Sequence, residues 1–284
     1  MLQPHRVSAL RNRLDHILPQ GYLEGFINFP DGGTLSVCGI REKRWFESGT
    51  RKVGAVRGFY DYAPGSPPDQ TADECFARLE ARFPIVRREL VLNGFSGWTS
   101  HLDFLLQYAQ MLRARSILFR EHALLKARGR TMFAVEEVVE DGDWTSLKVK
   151  PLELGDEDRA VLLRNMTITT MRGEIAQGAG LFSGLHWCLR FTSDSTHPVV
   201  TADDAVIMQG RMPTIEEAFS DRETLIFFPL CWQACLIGSP AKFDKETDAF
   251  VPSDLRMLQN IYLGSGCRFA YAPTRLALPE TRSL

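Results

Sequence analysis

His16 and Gln20 lie four residues apart in the stretch LDHILPQGYLEGF, Leu14 to Phe26. A histidine serves as general acid or base near neutral pH, and a neighbouring amide can orient a phosphate or carbonyl oxygen. Asp203 and Asp204, in VVTADDAV (199–206), sit where an apolar run enters a turn. One carboxylate there can accept a proton or orient a base. Adjacent carboxylates point to opposite faces of an extended chain, so the pair is a poor metal site. Gln107, Gln110 and Arg113 form a polar stripe that continues to Arg115. Gln110 and Arg113 are three apart and share a helix face, and Arg113 offers a bidentate grip on phosphate or carboxylate. Asn260 and Arg268 close the set.

Each has a plainer explanation. His16 can bond a backbone carbonyl while Leu18, Tyr22, Leu23 and Phe26 dock into the core. Asp203-Asp204 reads first as an Asx turn closing a strand. A charged helix stripe is usually a solvated face, although this one borders the apolar side, as a cleft wall would. Asn260 reads first as a partner for backbone groups. The strong short motifs are absent: no G-x-G-x-x-G after a strand, no P-loop, no H-E-x-x-H and no G-x-S-x-G. Any chemistry rests on residues brought together by the fold.

The elements that must do this are readable. GTLSVCGI (33–40) alternates after the turn PDGG, and KRWFESG is its hairpin partner. YAPGSPPDQ (62–70) is a loop. Thr71 and Glu74 form a capping-box pattern for a helix with Phe76, Leu79, Phe83 and Val86 on one face, kinked or restarted by Pro84. A second helix is expected over roughly 100–128, with Leu102, Leu105, Leu106, Ala109 and Leu112 inward. ARGR and EDGDWTS read as loops, and a third helix opens near 155. LHWCLRF, HPVVTADDAVIM, ETLIFFPLC and WQACLIG read as strands. PSDLRMLQNIYLGSG is a helix capped by Ser253 or Asp254 and ended by Gly264 or Gly266. CRFAYAP is a last strand. The expectation is an α+β fold: N-terminal hairpin, central long helices, and a C-terminal antiparallel or mixed sheet with one late helix. We read a single domain over 1–284, comprising an N-terminal motif and hairpin (1–70), a helical part (71–182), a sheet part (183–275) and a tail (276–284).

Composition narrows the classes. Apolar residues are 44% and charged residues 24%, as in an ordinary globular chain. Lys plus Arg is 33 against 35 Asp plus Glu, a net charge of −2, which argues against a strongly basic nucleic-acid module. No apolar run approaches a membrane span. The N-terminus is polar and basic without the apolar core of a signal peptide, so the default compartment is cytoplasmic. Cysteines 38, 75, 188, 231, 235 and 267 are scattered among apolar residues and read as buried, reduced thiols. No Cys/His set has zinc spacing, and the sequence calls for no metal and no cofactor.

DHILPQGYLEGF, Phe59-Tyr60, Glu74 and Glu80 in DECFARLEARF, Gln110 and Arg113 in YAQMLRARS, Trp187 with TADDAV, FFPLCW, Asn260 and CRFAYAP follow one another in order. The ordered set resembles the domain of unknown function 4238 family, which is bacterial and phage-associated, over roughly residues 12–273. Asp15 stands where the family pattern has a first histidine. Ala202-Asp203-Asp204-Ala205 stands where it has Ser-Asp-Asn-Pro. The resemblance carries no established activity. It does mark His16, Gln20, Gln110, Arg113, Asp203 and Asn260 as matching polar positions.

Two readings follow. One is a hydrolase of a phosphodiester or nucleotide, such as a nuclease-like effector in phage defence. There His16 is acid or base, Asp203 orients it, Arg113 holds the anion, and Gln20, Gln110 and Asn260 bind substrate. The other is a non-catalytic ligand-binding or protein-interaction module whose polar residues form a structural network. Whether the chain is an enzyme stays open at this point. Nucleotide or RNA is the partner class the first reading implies, and neither reading needs a membrane.

Overall fold

The computed structural model describes residues 14–27, 33–60, 72–129, 134–141, 144–151, 155–180, 182–209, 219–264 and 267–276; for 14, 72–75 and 126–151 it describes the backbone alone. The expected loop 62–70, the Thr71 cap and the tail after 276 lie outside these residues.

The chain opens with β1 (Leu14–His16), a single turn α1 (Gln20–Leu23) and a 3-10 turn at Glu24–Phe26. Strand β1 pairs antiparallel with β4 (Ala55–Arg57), so that His16 faces Ala55. Leu18, Tyr22, Leu23 and Phe26 are fully buried. Burying a leucine or phenylalanine this way contributes about 1.5–3 kcal/mol, so the segment is anchored by its apolar half. Tyr22 also satisfies its hydroxyl, which donates to the Pro229 carbonyl at 2.9 Å and lies 2.9 Å from the Thr201 hydroxyl.

The expected hairpin forms as β2 (Leu35–Gly39) and β3 (Arg44–Ser48), with Leu35 opposite Ser48. It is not a separate N-terminal module. β2 pairs with β13 (Phe269–Ala272), and β13 pairs with β8 (Thr201–Ala202), giving an antiparallel sheet in the order β3-β2-β13-β8. A second, mixed sheet has the order β12-β7-β11-β10-β9, from β7 (His186–Phe191), β9 (Ile207–Gln209), β10 (Leu225–Cys231), β11 (Ala234–Ser239) and β12 (Thr247–Ala249). Only the β12–β7 pairing in it is parallel.

Helices α2 (Ala72–Leu92), α3 (Leu102–Ala114), α4 (Ile117–Gly129) and α5 (Asp156–Ala176) form the helical part, and α6 (Pro252–Leu263) lies between β12 and β13. The fold is α+β, as read from the pattern. Four details differ. α2 runs through Pro84 without interruption; the proline ring lies against Gly21, where an added Cβ would meet it at 2.6 Å, so tertiary packing carries the helix past its missing hydrogen bond. The expected 100–128 helix is two helices. Ser116 breaks it by capping α4, its hydroxyl accepting the Phe119 amide at 3.0 Å. Residues 140–141 and 144–146, read as loop, lie on paired strands, β5 (Ala134–Asp141) with β6 (Trp144–Pro151), inside the region read as helical. Pro252, not Ser253 or Asp254, opens α6 after Val251, and Gly264 ends it.

The core joins both parts. Phe83 of α2 stacks on Tyr108 of α3 at 3.9 Å between ring centres, and Tyr22 lies nearly parallel to Phe228 of β10. Cys38, Cys188, Cys231 and Cys235 are buried free thiols, and Cys267 is buried as well.

Candidate functional site

The N-terminal segment is held by its backbone. Arg115, 3% exposed at the α3–α4 break, donates to the carbonyl of His16, to the Tyr60 hydroxyl at 2.6 Å and to the Glu80 carboxylate. Its guanidinium lies against the Tyr60 and Phe76 rings, 5.1 and 4.3 Å from their centres. Tyr60 donates its hydroxyl to the same His16 carbonyl at 3.1 Å, and its amide donates to Asp15 at 3.0 Å. The His16 carbonyl is thus satisfied from the α3–α4 break and from the segment after β4.

The His16 ring points elsewhere. Its Nε2 lies 3.4 Å from both the Arg51 carbonyl and the Gln20 amide nitrogen. These contacts brace the segment 50–55, whose Gly54 carbonyl also accepts the Ile17 and Leu18 amides. Gln110 and Arg113 form a different group. Both reach Glu174 of α5, at 2.6 and 3.2 Å, and Arg113 lies over the Phe119 ring. Asn260 is exposed on α6. Its neighbour Gln259 is the buried amide, donating to the Pro198 carbonyl at 2.8 Å. The six positions therefore do not converge on one point.

Asp203 and Asp204 occupy a tightly held turn after β8. The Asp203 amide donates to the Phe269 carbonyl, and its carboxylate accepts the Phe269 amide at 3.2 Å and the Tyr271 hydroxyl at 2.5 Å. These bonds go to strand β13 and not, as an Asx turn would, to Asp203's own loop. Arg268 stands 3.8 Å from the same carboxylate. Burial pushes the Asp203 carboxyl above the usual range, against the opposing pull of Tyr271, Arg268 and the Phe269 amide. Two residues on, the Ala205 carbonyl accepts the Tyr262 hydroxyl of α6 at 2.9 Å.

Asp204 lies between these fixed points, facing the start of α4. Its Oδ1 is shut from water and has no hydrogen-bond partner. Burial pushes its carboxyl up to about 7, although the Arg113 charge and the Ser116 hydroxyl draw it down. A cleft of about 70 Å³ opens beside it, walled by Asp203, Asp204, Arg41, Arg268, Cys267 and the first turn of α4, with Glu121 among its lining residues. On the other side of Asp203 and Arg268 a wider hollow of about 160 Å³ is bounded by β3 and the braced segment 52–55. Among the described residues no group of three His, Cys, Asp or Glu side chains is placed to hold a metal ion. No helix among them is long and apolar enough to cross a membrane.

The model of the family described as "Protein of unknown function (DUF4238)" matches residues 15–258. The chain belongs to this family. No curated protein and no solved structure matches it. The DUF4238 motif residues divide by task in the fold. His16, Tyr60 and Glu80 meet at Arg115 with Asp15 beside them on the Tyr60 amide, Phe59 lies under Arg120, and Gln110 and Arg113 meet at Glu174. Asp203 ties β8 to β13. Sequence reasoning weighed Asp204 beside Asp203 without choosing it, gave Ser116 no role, and named Arg268 but not as a cleft wall. Ser116 had a signal: a serine directly before the apolar run ILF is a helix-start pattern. Asp204 had none, because its partners come from α3 and the α3–α4 break, far off in the chain.

Proposed function

We propose that this DUF4238 protein is a hydrolase of a phosphate ester, working in the cleft beside Asp204. The observation that carries this reading is the carboxyl of Asp204, one oxygen of which is shut from water without a partner, on a residue that lines a cleft which two guanidinium groups, Arg41 and Arg268, help to wall. Guanidinium pairs suit the non-bridging oxygens of a phosphate. A bound anion raises the proton affinity of a neighbouring carboxyl further. Asp204 therefore carries a proton when substrate is bound, and its role is general acid.

As water forms a new bond to phosphorus, the bond from phosphorus to the leaving oxygen breaks. Asp204 gives its proton to that oxygen, and the proton released by the water restores Asp204 through solvent. Asp203 is a positioning residue, holding Arg268 and the turn. Arg113 acts through its charge on Asp204, and Gln110 steadies Glu174 beside Arg113. His16 and Gln20 brace the segment 50–55. Asn260 has no part in this reading.

The test is turnover of diphenyl phosphate and phenyl phosphate, whose phenolic leaving oxygens call for a proton, by the full chain. Asp204→Asn should lower kcat by about 10²–10⁴-fold, the usual weight of general acid–base catalysis, with the folded state kept. In the wild type kcat/KM should fall as pH rises through about 7. No turnover of either ester, or an unaltered Asp204→Asn enzyme, rejects the reading. One observation favours a non-catalytic binding protein instead: Asp203 is wholly engaged by Tyr271, Phe269 and Arg268, as in a structural network. That alternative predicts phosphate binding lost in Arg268→Ala with no turnover in any variant.

A further inference from the structure

The wider hollow lies across Arg268 from the Asp204 cleft. It is lined by Phe46, Phe269 and Val53 on the apolar side and by Ser48, Lys52 and Arg268 on the polar side. Its volume of about 160 Å³ matches the roughly 150 Å³ cavity that accepts a benzene ring. Phe46 is 38% exposed, which is unusual for a large aromatic on a strand whose partner β2 is wholly buried. Its ring meets Phe269 edge-on at 6.3 Å, and the Arg268 guanidinium lies 6.0 Å from the Phe269 ring centre. Arg268 and Asp203 line both hollows, so they are two lobes flanking one ion pair.

We propose that the wider lobe binds a single planar ring carried by the phosphate ester, so that the ligand is a pyrimidine nucleotide unit, its ring against Phe46 and its phosphate at Arg268. The inference rests on the phosphate-ester reading of the narrow lobe. Stacking on an aromatic side chain holds a base whatever its sequence context. The polar groups select the ring. Lys52 only donates hydrogen bonds, and the Ser48 hydroxyl is held by just a long 3.4 Å bond to the Gly49 carbonyl, free to turn. Two donors call for carbonyl acceptors, which uracil and cytosine present. Adenine presents no carbonyl acceptor to these donors.

Titration calorimetry on the full chain, with uridine 5′-monophosphate, adenosine 5′-monophosphate and ribose 5-phosphate as probes, tests this. The uridine nucleotide should bind at least about tenfold more tightly than ribose 5-phosphate, a gap of about 1.4 kcal/mol, and more tightly than the adenosine nucleotide. Phe46→Ala should erase the gap, and Lys52→Ala should narrow it; both residues are exposed, so neither change threatens the fold. Equal affinity for the uridine nucleotide and ribose 5-phosphate, a gap that survives Phe46→Ala, or no binding of the uridine nucleotide overturns the inference. An adenosine affinity at or above the uridine one overturns the single-ring assignment. Ester hydrolysis that depends on Asp204 without a ring preference sinks this inference alone. A ring preference without hydrolysis sinks the catalytic reading alone.

Discussion

A carboxyl group whose oxygen faces neither water nor a donor keeps its proton, and Asp204 is such a group. Its folded-state proton affinity exceeds the ordinary one near 4, so the folded protein holds a proton that the unfolded chain releases between about pH 4 and about pH 7. This contribution to stability is full below that window, falls across it and is flat above it. Asp204→Asn should therefore be more stable than wild type at pH 8, with a shallower fall between pH 5 and pH 8, which urea titrations at the two values measure. A residual slope of the same sign is expected from buried Asp203. Tyr271→Phe removes the 2.5 Å donor to Asp203 and should cost about 1.5–3 kcal/mol, the range for a bond to a charged group; an unchanged urea midpoint rejects that. Asp203 was legible in the sequence through its place in the ordered family pattern. The choice of Asp204 over it was not, because the Ser116 hydroxyl and the Arg113 charge that act on Asp204 come from distant parts of the chain.

At the level of elements, the break between α3 and α4 does two things. Ser116 starts α4, and Arg115 is freed from helical spacing to reach the N-terminal segment. Heptad-like apolar spacing runs on through both helices, so periodicity alone merges them. The anchors Leu18, Tyr22, Leu23 and Phe26 were readable as apolar residues with nowhere else to go, whereas the partner of the His16 carbonyl was not, since any arginine could have filled the role. Arg115→Ala should destabilise by about 3 kcal/mol, the lower end for breaking a buried pair, because Glu80 keeps some solvent. Limited proteolysis should then cut near residues 14–27 faster than in wild type, and an unchanged cutting rate refutes the staple. Gly54 has φ +63°, and an added Cβ would sit 3.2 Å from Leu18 and 3.3 Å from Leu23. Gly54→Ala should cost at least about 1 kcal/mol, from left-handed backbone strain and crowding together, and would be read as a lowered Tm.

For the whole molecule, the four-stranded sheet matters most. The family match ends at residue 258, yet the strand at the middle of that sheet is β13, residues 269–272. It joins the N-terminal hairpin to β8 and carries Phe269 and Tyr271, two donors to the Asp203 carboxylate. The strand itself was legible from CRFAYAP. Its pairing was not, because alternation tells which face is buried and says nothing of the neighbour. We expect 1–284 to unfold in one transition, and a chain stopped after residue 264 to lose cooperative unfolding by circular dichroism. A truncated chain that keeps a sharp transition would show that the hairpin and the helices fold without β13.

Chain order then sets a schedule. On the ribosome, β2 and β8 are made first; β2 has β3 beside it, but both wait for β13. From Ala202 to Phe269 is 67 residues, which takes roughly 3 to 13 seconds at usual synthesis rates. Through that interval Asp203 has no Tyr271 to hold it and Arg268 does not yet exist. Neither lobe can form early, so both hollows beside Arg268 take shape only once β13 is made.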